Sequence, residues 1–226
     1  MKFLLLLSIL FGPVFGAQAI DNEAVKAFMN AEHEQPGSGA LPPPQTEAGQ
    51  TVRMLLTAWS RSLQTDDNEE KYAILSQALS EYEAAAATAE KAVHTVAAGL
   101  MGEIVYYCRL SEKISYGKKS KAIYESVLAD DSDCFAALLG LGIGLLHTPK
   151  LFGGNPEKAF ALFTQAEAAA DEPYRRYLAA LWISQYYFKT GNEERCRDYF
   201  SKAAAVYPEG WLLKRAAARN AAGKTL

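Results

Sequence analysis

GNPEKAFALFTQAEAAAD, Gly154 to Asp171, and GNEERCRDYFSKAAAVYP, Gly191 to Pro208, superpose residue on residue. Each opens on a turn glycine. Each then places a small residue, an aromatic, a small residue and a helix-ending residue at matched offsets: Ala159, Phe163, Ala166 and Asp171 in one, Cys196, Phe200, Ala203 and Pro208 in the other. Residues three and four apart share one helix face. The small ones on that face let a neighbouring helix approach, and the aromatic fills the space between. GKKSKAIYESVLADDS, Gly117 to Ser132, repeats the series with Ser120, Tyr124, Val127 and Ser132.

Each series follows another helical stretch: GEIVYYCRLSEKI, CFAALLGLGIGLLH and RRYLAALWISQYYFKT. The anchors Ser120, Ala159 and Cys196 are 39 and 37 residues apart. A helix-turn-helix repeat of the tetratricopeptide kind has a period of about 34 residues. An inserted TPKLFGG corner accounts for part of the excess. From Thr51 onward apolar residues recur at three and four, and no segment alternates with period two. Gly117, Gly153-Gly154, Pro173, Gly191 and Pro208 read as punctuation between helices. The expectation is an all-α domain over residues 51–226, an α-α superhelix of about four stacked helix pairs with a terminal capping helix. An earlier pair is expected over Thr51–Gln64 and Asn68–Glu83. One pair cannot hide its own apolar face, but a stack buries a continuous core.

On these residues the chain resembles a tetratricopeptide-repeat protein. Ala180, Tyr187, Gly191, Phe200, Ala203 and Pro208 fit that pattern, while Ser184 and Cys196 stand where the family prefers glycine and alanine. Leu141, Gly142 and Leu145 match the first helix of the preceding unit. The corner of the form P-x-x-F-G-G ahead of E-K-A also resembles exported tetratricopeptide proteins that accompany TRAP-type solute transporters. The resemblance implies that the first helices line a concave, partner-binding face. In this chain that face would carry Arg109, Lys113, Ile143, Leu146, His147, Gln185, Phe188 and Lys189. Gly142, Ala159, Phe163, Ala166, Cys196, Phe200, Ala203 and Pro208 would pack the repeats together.

The rest of the chain frames this domain. Lys2, the apolar run Phe3–Phe15 and the small residues of Ala17-Gln18-Ala19 form a secretory signal peptide over residues 1–19, with cleavage after Ala19. A run broken by Pro13 is too short to span a bilayer, which takes about 20 residues. The mature protein is therefore expected in the periplasm or secreted, with no stable membrane insertion. Asp21–Glu34 suits a short amphipathic helix, with Val25, Phe28 and Met29 on one side. Gln35–Gln50, QPGSGALPPPQTEAGQ, reads as a linker. Residues 20–50 are thus expected to be a flexible tail, with His33 and Glu34 inside it.

Half of the residues are hydrophobic, ample for a core, and the formal net charge is −3. No basic stripe interleaves with aromatics, so nucleic acid is not the expected partner. Three cysteines at Cys108, Cys134 and Cys196 fit no metal site and read as small buried side chains. A Cys108–Cys134 disulfide is open in an oxidising compartment. Gly153-Gly154 lacks the G-K-[ST] of a phosphate loop and is followed by Asn155, Pro156 and Glu157, a helix-capping sequence. GLGIG, Gly140–Gly144, lacks the third glycine of a dinucleotide fingerprint, and Gly140 and Gly144 suit a close helix crossing. The acidic runs Asp66–Glu70 and Asp130–Asp133 lack the glycine and distal glutamate of a calcium loop and suit helix N-termini. His33, His94 and His147 lack ligand spacing. The expectation is a non-catalytic protein without cofactor or metal, docking a protein or peptide partner. The alternative is an accessory solute-binding protein of a transporter, holding a small organic acid between repeats.

Overall fold

The computed structural model describes residues 22–44 and 46–226, so the expected signal peptide lies outside the described residues. The described residues form ten α-helices and no strand. They are α1 (Asn22–Glu34), α2 (Glu47–Gln64), α3 (Asn68–Ala85), α4 (Lys91–Ile104), α5 (Leu110–Asp130), α6 (Phe135–His147), α7 (Pro156–Ala168), α8 (Pro173–Thr190), α9 (Glu193–Val206) and α10 (Trp211–Ala221). Short 3-10 turns at Ala86–Thr88 and Lys150–Phe152 complete the path. No described helix is long and apolar enough to cross a membrane.

Local chemistry starts and stops these helices. Side chains of Thr46, Asp67, Asn155 and Asn192 accept backbone N–H bonds from the first turns of α2, α3, α7 and α9 at 2.8–3.1 Å. These satisfy donors that a helix leaves orphaned. Gly191 ends α8 in the left-handed region at φ +77°, where a side chain would be strained.

The helices pair in succession, α2 with α3, α4 with α5, α6 with α7 and α8 with α9. The first members also meet one another, α2 on α4, α4 on α6 and α6 on α8, whereas the second members pack mainly between successive pairs. A stack whose first helices converge must curve toward them. The result is the expected all-α superhelix of helical hairpins, with α2, α4, α6 and α8 on the inner face.

Packing follows the repeated series. Ala159, Phe163, Ala166 and Ala203 are fully buried, and Cys196 is buried at the edge of the core. A Cβ on Gly142 would lie 2.5 Å from the Phe163 ring, and one on Gly140 would lie 2.5 Å from Tyr124. Gly140 admits an aromatic ring from α5, and Gly142 admits one from α7. Gly144 has open space around it, so the close crossing uses Gly140 and Gly142 rather than the expected Gly140 and Gly144. Phe200 is half-buried against the core, while Pro208 is exposed just beyond the end of α9. The TPKLFGG corner is a built turn. Asn155 donates its N–H to the Leu145 carbonyl at 3.0 Å, Gly153 adopts φ +90°, and a side chain on Gly154 would overlap the Thr148 carbonyl.

Two parts of the sequence reading change. GEIVYYCRLSEKI is not one helix, because α4 ends at Ile104 and a turn through Cys108 separates it from α5. Gly117 then lies inside α5, on an open face with nothing within 4 Å of its would-be Cβ. Its intrinsic cost of about 1 kcal/mol is borne by packing of Ser120, Tyr124 and Val127 on the other side. The second change concerns α1. It is not part of a loose tail: Val25, Phe28, Met29, Glu32 and His33 are all buried, and α1 packs on α8 and α10.

Candidate partner-binding site

Part of the inner face is covered by α1 and by Leu226. The His33 ring of α1 lies 6.0 Å from Trp59 of α2, and 6.3 and 5.9 Å from Tyr174 and Tyr177 of α8. α1 therefore bridges the first helices of the first and last pairs and draws the stack closed. At the other end, Leu226 is buried and donates its N–H to Gln185 Oε1 at 2.9 Å, while Arg219 Nε donates to the Thr225 carbonyl. The α10 helix packs on α9 and α8, as a terminal helix does. Its Arg215 turns inward, close enough to Glu103, Tyr107 and Asp66 for their charges to act on it.

These contacts place the eight residues expected on the partner-binding face. Ile143, Leu146 and Gln185 are buried, Gln185 under the chain's own last residues. His147 and Phe188 are partly covered. His147 stands edge-on to Trp182 at 5.7 Å, its Nε2 has no hydrogen-bond partner, and burial with help from the Lys189 and Arg219 charges holds its pKa down to about 3. Lys189 is committed to the Leu146 carbonyl at the end of α6, a favourable place for a cation. Ile143, Leu146, His147, Gln185 and Lys189 thus lie on α6 and α8, but Gln185 is covered by Leu226, Ile143 and Leu146 are buried in the core, and Lys189 alone is exposed. Arg109 and Lys113 lie apart from them, before and within the first turn of α5, because the α4–α5 turn comes earlier than the sequence suggested.

Around Arg109 the surface is open. A cleft of about 480 Å³ is lined by Tyr72, Tyr107, Cys108, Arg109, Ser111 and Glu112. Its polar groups are held in place. Tyr72 donates its hydroxyl to Glu112 Oε1 at 2.7 Å, and Glu112 Oε2 accepts the Arg109 N–H at 3.0 Å. The Tyr72 hydrogen bond is the main reason the Glu112 carboxyl titrates below its ordinary range. Tyr107 donates to the buried Glu103 Oε1 at 2.7 Å, and its ring lies 5.7 Å from the buried Lys71 ammonium. Behind the cleft, Lys71 Nζ donates to the Ser62 carbonyl at 2.7 Å. Burial raises the Cys108 thiol, so it is not an activated nucleophile.

Beside the cleft, α5 exposes Leu110 at 74 % and Ile114 at 49 %, with Lys113 between them. Residues four apart on a helix make one patch. A second apolar pair, Leu151 at 88 % and Phe152 at 73 %, stands on the TPKLFGG corner. Tyr72 and Glu112 were not among the sequence-derived site residues. They are 40 positions apart, and no local pattern marks such a pair.

All three cysteines carry free thiols. No group of three or more His, Cys, Asp or Glu side chains among the described residues is arranged to hold a metal. Asp67 and Asp131 of the acidic runs instead accept backbone N–H bonds at helix ends and turns. Compared with known proteins, the chain matches no protein-family model and no curated protein.

Proposed function

We propose that this chain is an exported tetratricopeptide-like interaction module whose work is to dock a protein partner, without catalysis, in an extracytoplasmic complex. The observation that carries the reading is the exposed Leu110–Ile114 patch beside the tyrosine-lined cleft at Arg109. Tyrosine and arginine are enriched at interface hot spots, and exposed apolar side chains beside them add surface that a partner can bury. Glu112 fixes the Tyr72 ring by its hydroxyl and the start of α5 by the Arg109 backbone N–H before a partner arrives, so less ordering entropy is lost on binding.

The test is site-specific photo-crosslinking in the native host. A photoreactive residue at position 110 is expected to capture a discrete protein, and one at Arg197 on exposed α9 is not. Arg109→Glu with Ile114→Glu should lower the capture roughly tenfold or more while leaving thermal stability unchanged. The same background pattern from both positions, or capture indifferent to the double substitution, would refute the reading.

A second reading has its own observation. A cleft of about 480 Å³ is large enough for a small organic ligand, and the Arg109 guanidinium suits a carboxylate. Under that reading the chain is an accessory solute-binding protein of a transporter. Native mass spectrometry of gently purified protein would then show a small-molecule adduct that Arg109→Glu removes.

A further inference from the structure

The contacts of α1 differ in kind from those elsewhere in the stack. Phe28 packs edge-on to Trp59 at 6.5 Å, and Val25 and Met29 are fully buried beside it. Around this apolar stripe the polar ties are strong. Lys26 pairs with Glu172 at 2.9 Å, and Asn30 Oδ1 accepts bonds from the Tyr174 N–H and the Tyr207 hydroxyl. Glu32 accepts from Ser60 Oγ, Gly37 N and Gly39 N at 2.8–3.0 Å, folding the following turn back on the helix.

His33 is the exception. Its ring is fully buried among Trp59, Tyr174 and Tyr177, and neither ring nitrogen has a hydrogen-bond partner. A phenylalanine or leucine would fill such a box without leaving an unsatisfied donor and acceptor, each of which is costly to bury.

We propose that α1 is a releasable clasp on the inner face, and that protonation of His33 opens it. The seat joins the first and last hairpins, so leaving it uncovers Trp59, Tyr174 and Tyr177 and loosens the closure of the stack. Nothing around the ring favours the imidazolium. α2 offers the Trp59 indole and the Ser60 hydroxyl, the latter bonded to Glu32. α8 offers the Tyr174 and Tyr177 phenols, both kept neutral by burial, while Arg175 reaches Asp171 and Glu172 reaches Lys26. The α9–α10 connection brings Tyr207, and Lys214 of α10 pairs with Glu209 at the surface. On α1 itself, Glu34 is exposed and Glu32 is occupied by its three donors. Burial alone holds His33 down to about 3 against an ordinary 6.5. A released α1 regains the ordinary value, so opening becomes about 100-fold more favourable at pH 4.5 than at pH 7.5. The clasp is independent of the partner cleft at Arg109 and stands whether or not that cleft binds a protein.

Hydrogen exchange, corrected for the intrinsic pH dependence, tests this on the whole mature chain. Amides of residues 25–34 should lose about 100-fold in protection between pH 7.5 and 4.5, while those of α8 keep theirs. His33→Phe, and independently His33→Leu, should abolish that loss. Equal loss in α1 and α8, or the same loss in both variants, would overturn the proposal. A nuclear magnetic resonance titration of the unaltered protein gives a second test: a His33 ring titrating near 6.5 with α1 still docked would also overturn it.

Discussion

Acidification from pH 7.5 to 4 is expected to remove about 5 kcal/mol of folding stability, beginning near pH 6.5. His33 and His147 are held neutral by burial, with pKa values down to about 3. The unfolded chain takes up their protons near 6.5 and the folded chain does not. Their contribution is therefore intact above pH 6.5 and lost progressively as pH falls toward 3. At pH 4 the fully buried His33 accounts for about 3 kcal/mol at about 1.4 kcal/mol per unit. His147 is partly covered rather than fully enclosed, so we discount it to about 2 kcal/mol. His94, lowered by burial beside Tyr82, acts in the same direction. A domain of ordinary stability, 5–15 kcal/mol, would be close to its limit. Urea titrations at half-unit pH steps measure this, and His33→Phe with His147→Phe should flatten the curve between pH 6.5 and 4. Carboxylates such as Glu112, lowered mainly by its Tyr72 hydrogen bond, act only in the more acidic range. A flat response down to pH 5 would show that the two imidazoles are solvated.

Phe163→Ala is expected to cost about 3–5 kcal/mol. Phe163 is fully buried between α7 and α6, its ring is 6.3 Å from Trp182, and it occupies the notch left by Gly142. Truncation leaves a cavity that the surrounding helices cannot close, because the notch is backbone. For a chain of this length the melting temperature should fall by about 10 °C. Gly142→Leu alone should cost about 1–3 kcal/mol by overpacking. Combined, the two changes should destabilise less than the sum of their separate costs, since the new leucine enters the space the ring vacated. Strict additivity in the double-mutant cycle would mean that Gly142 and Phe163 do not share one packing site.

The helical hairpins were legible because their signals are local. Asp67, Asn155, Asn192, Pro156, Pro173 and Gly191 mark helix ends within one turn, and the Ala159–Phe163–Ala166 series marks a packing face. The α4–α5 turn was hidden for the opposite reason. Tyr106, Tyr107 and Cys108 continue an apolar run through it without glycine or proline, and the apparent punctuation at Gly117 is an exposed helix position. α1 was recognisable as a helix but not as part of the core. Its Pro- and Gly-rich continuation looks like a linker, whereas what fixes it are Glu32 gathering the Gly37 and Gly39 N–H groups and the distant Trp59 and Tyr174 rings. Ile143, Leu146, His147 and Gln185 lie on the first helices α6 and α8. Helix periodicity says which residues face inward, but it does not say that the last residue of the same chain covers Gln185.

The self-covered inner face is most directly measured by nuclear Overhauser contacts at pH 7.5. The expected result is cross-peaks from the His33 ring to Trp59 and Tyr177, and from the Leu226 amide to the Gln185 side chain. Absence of both sets, with α1 amides exchanging freely at neutral pH, would mean an open groove and would contradict the closed arrangement of α1, α8 and residues 223–226.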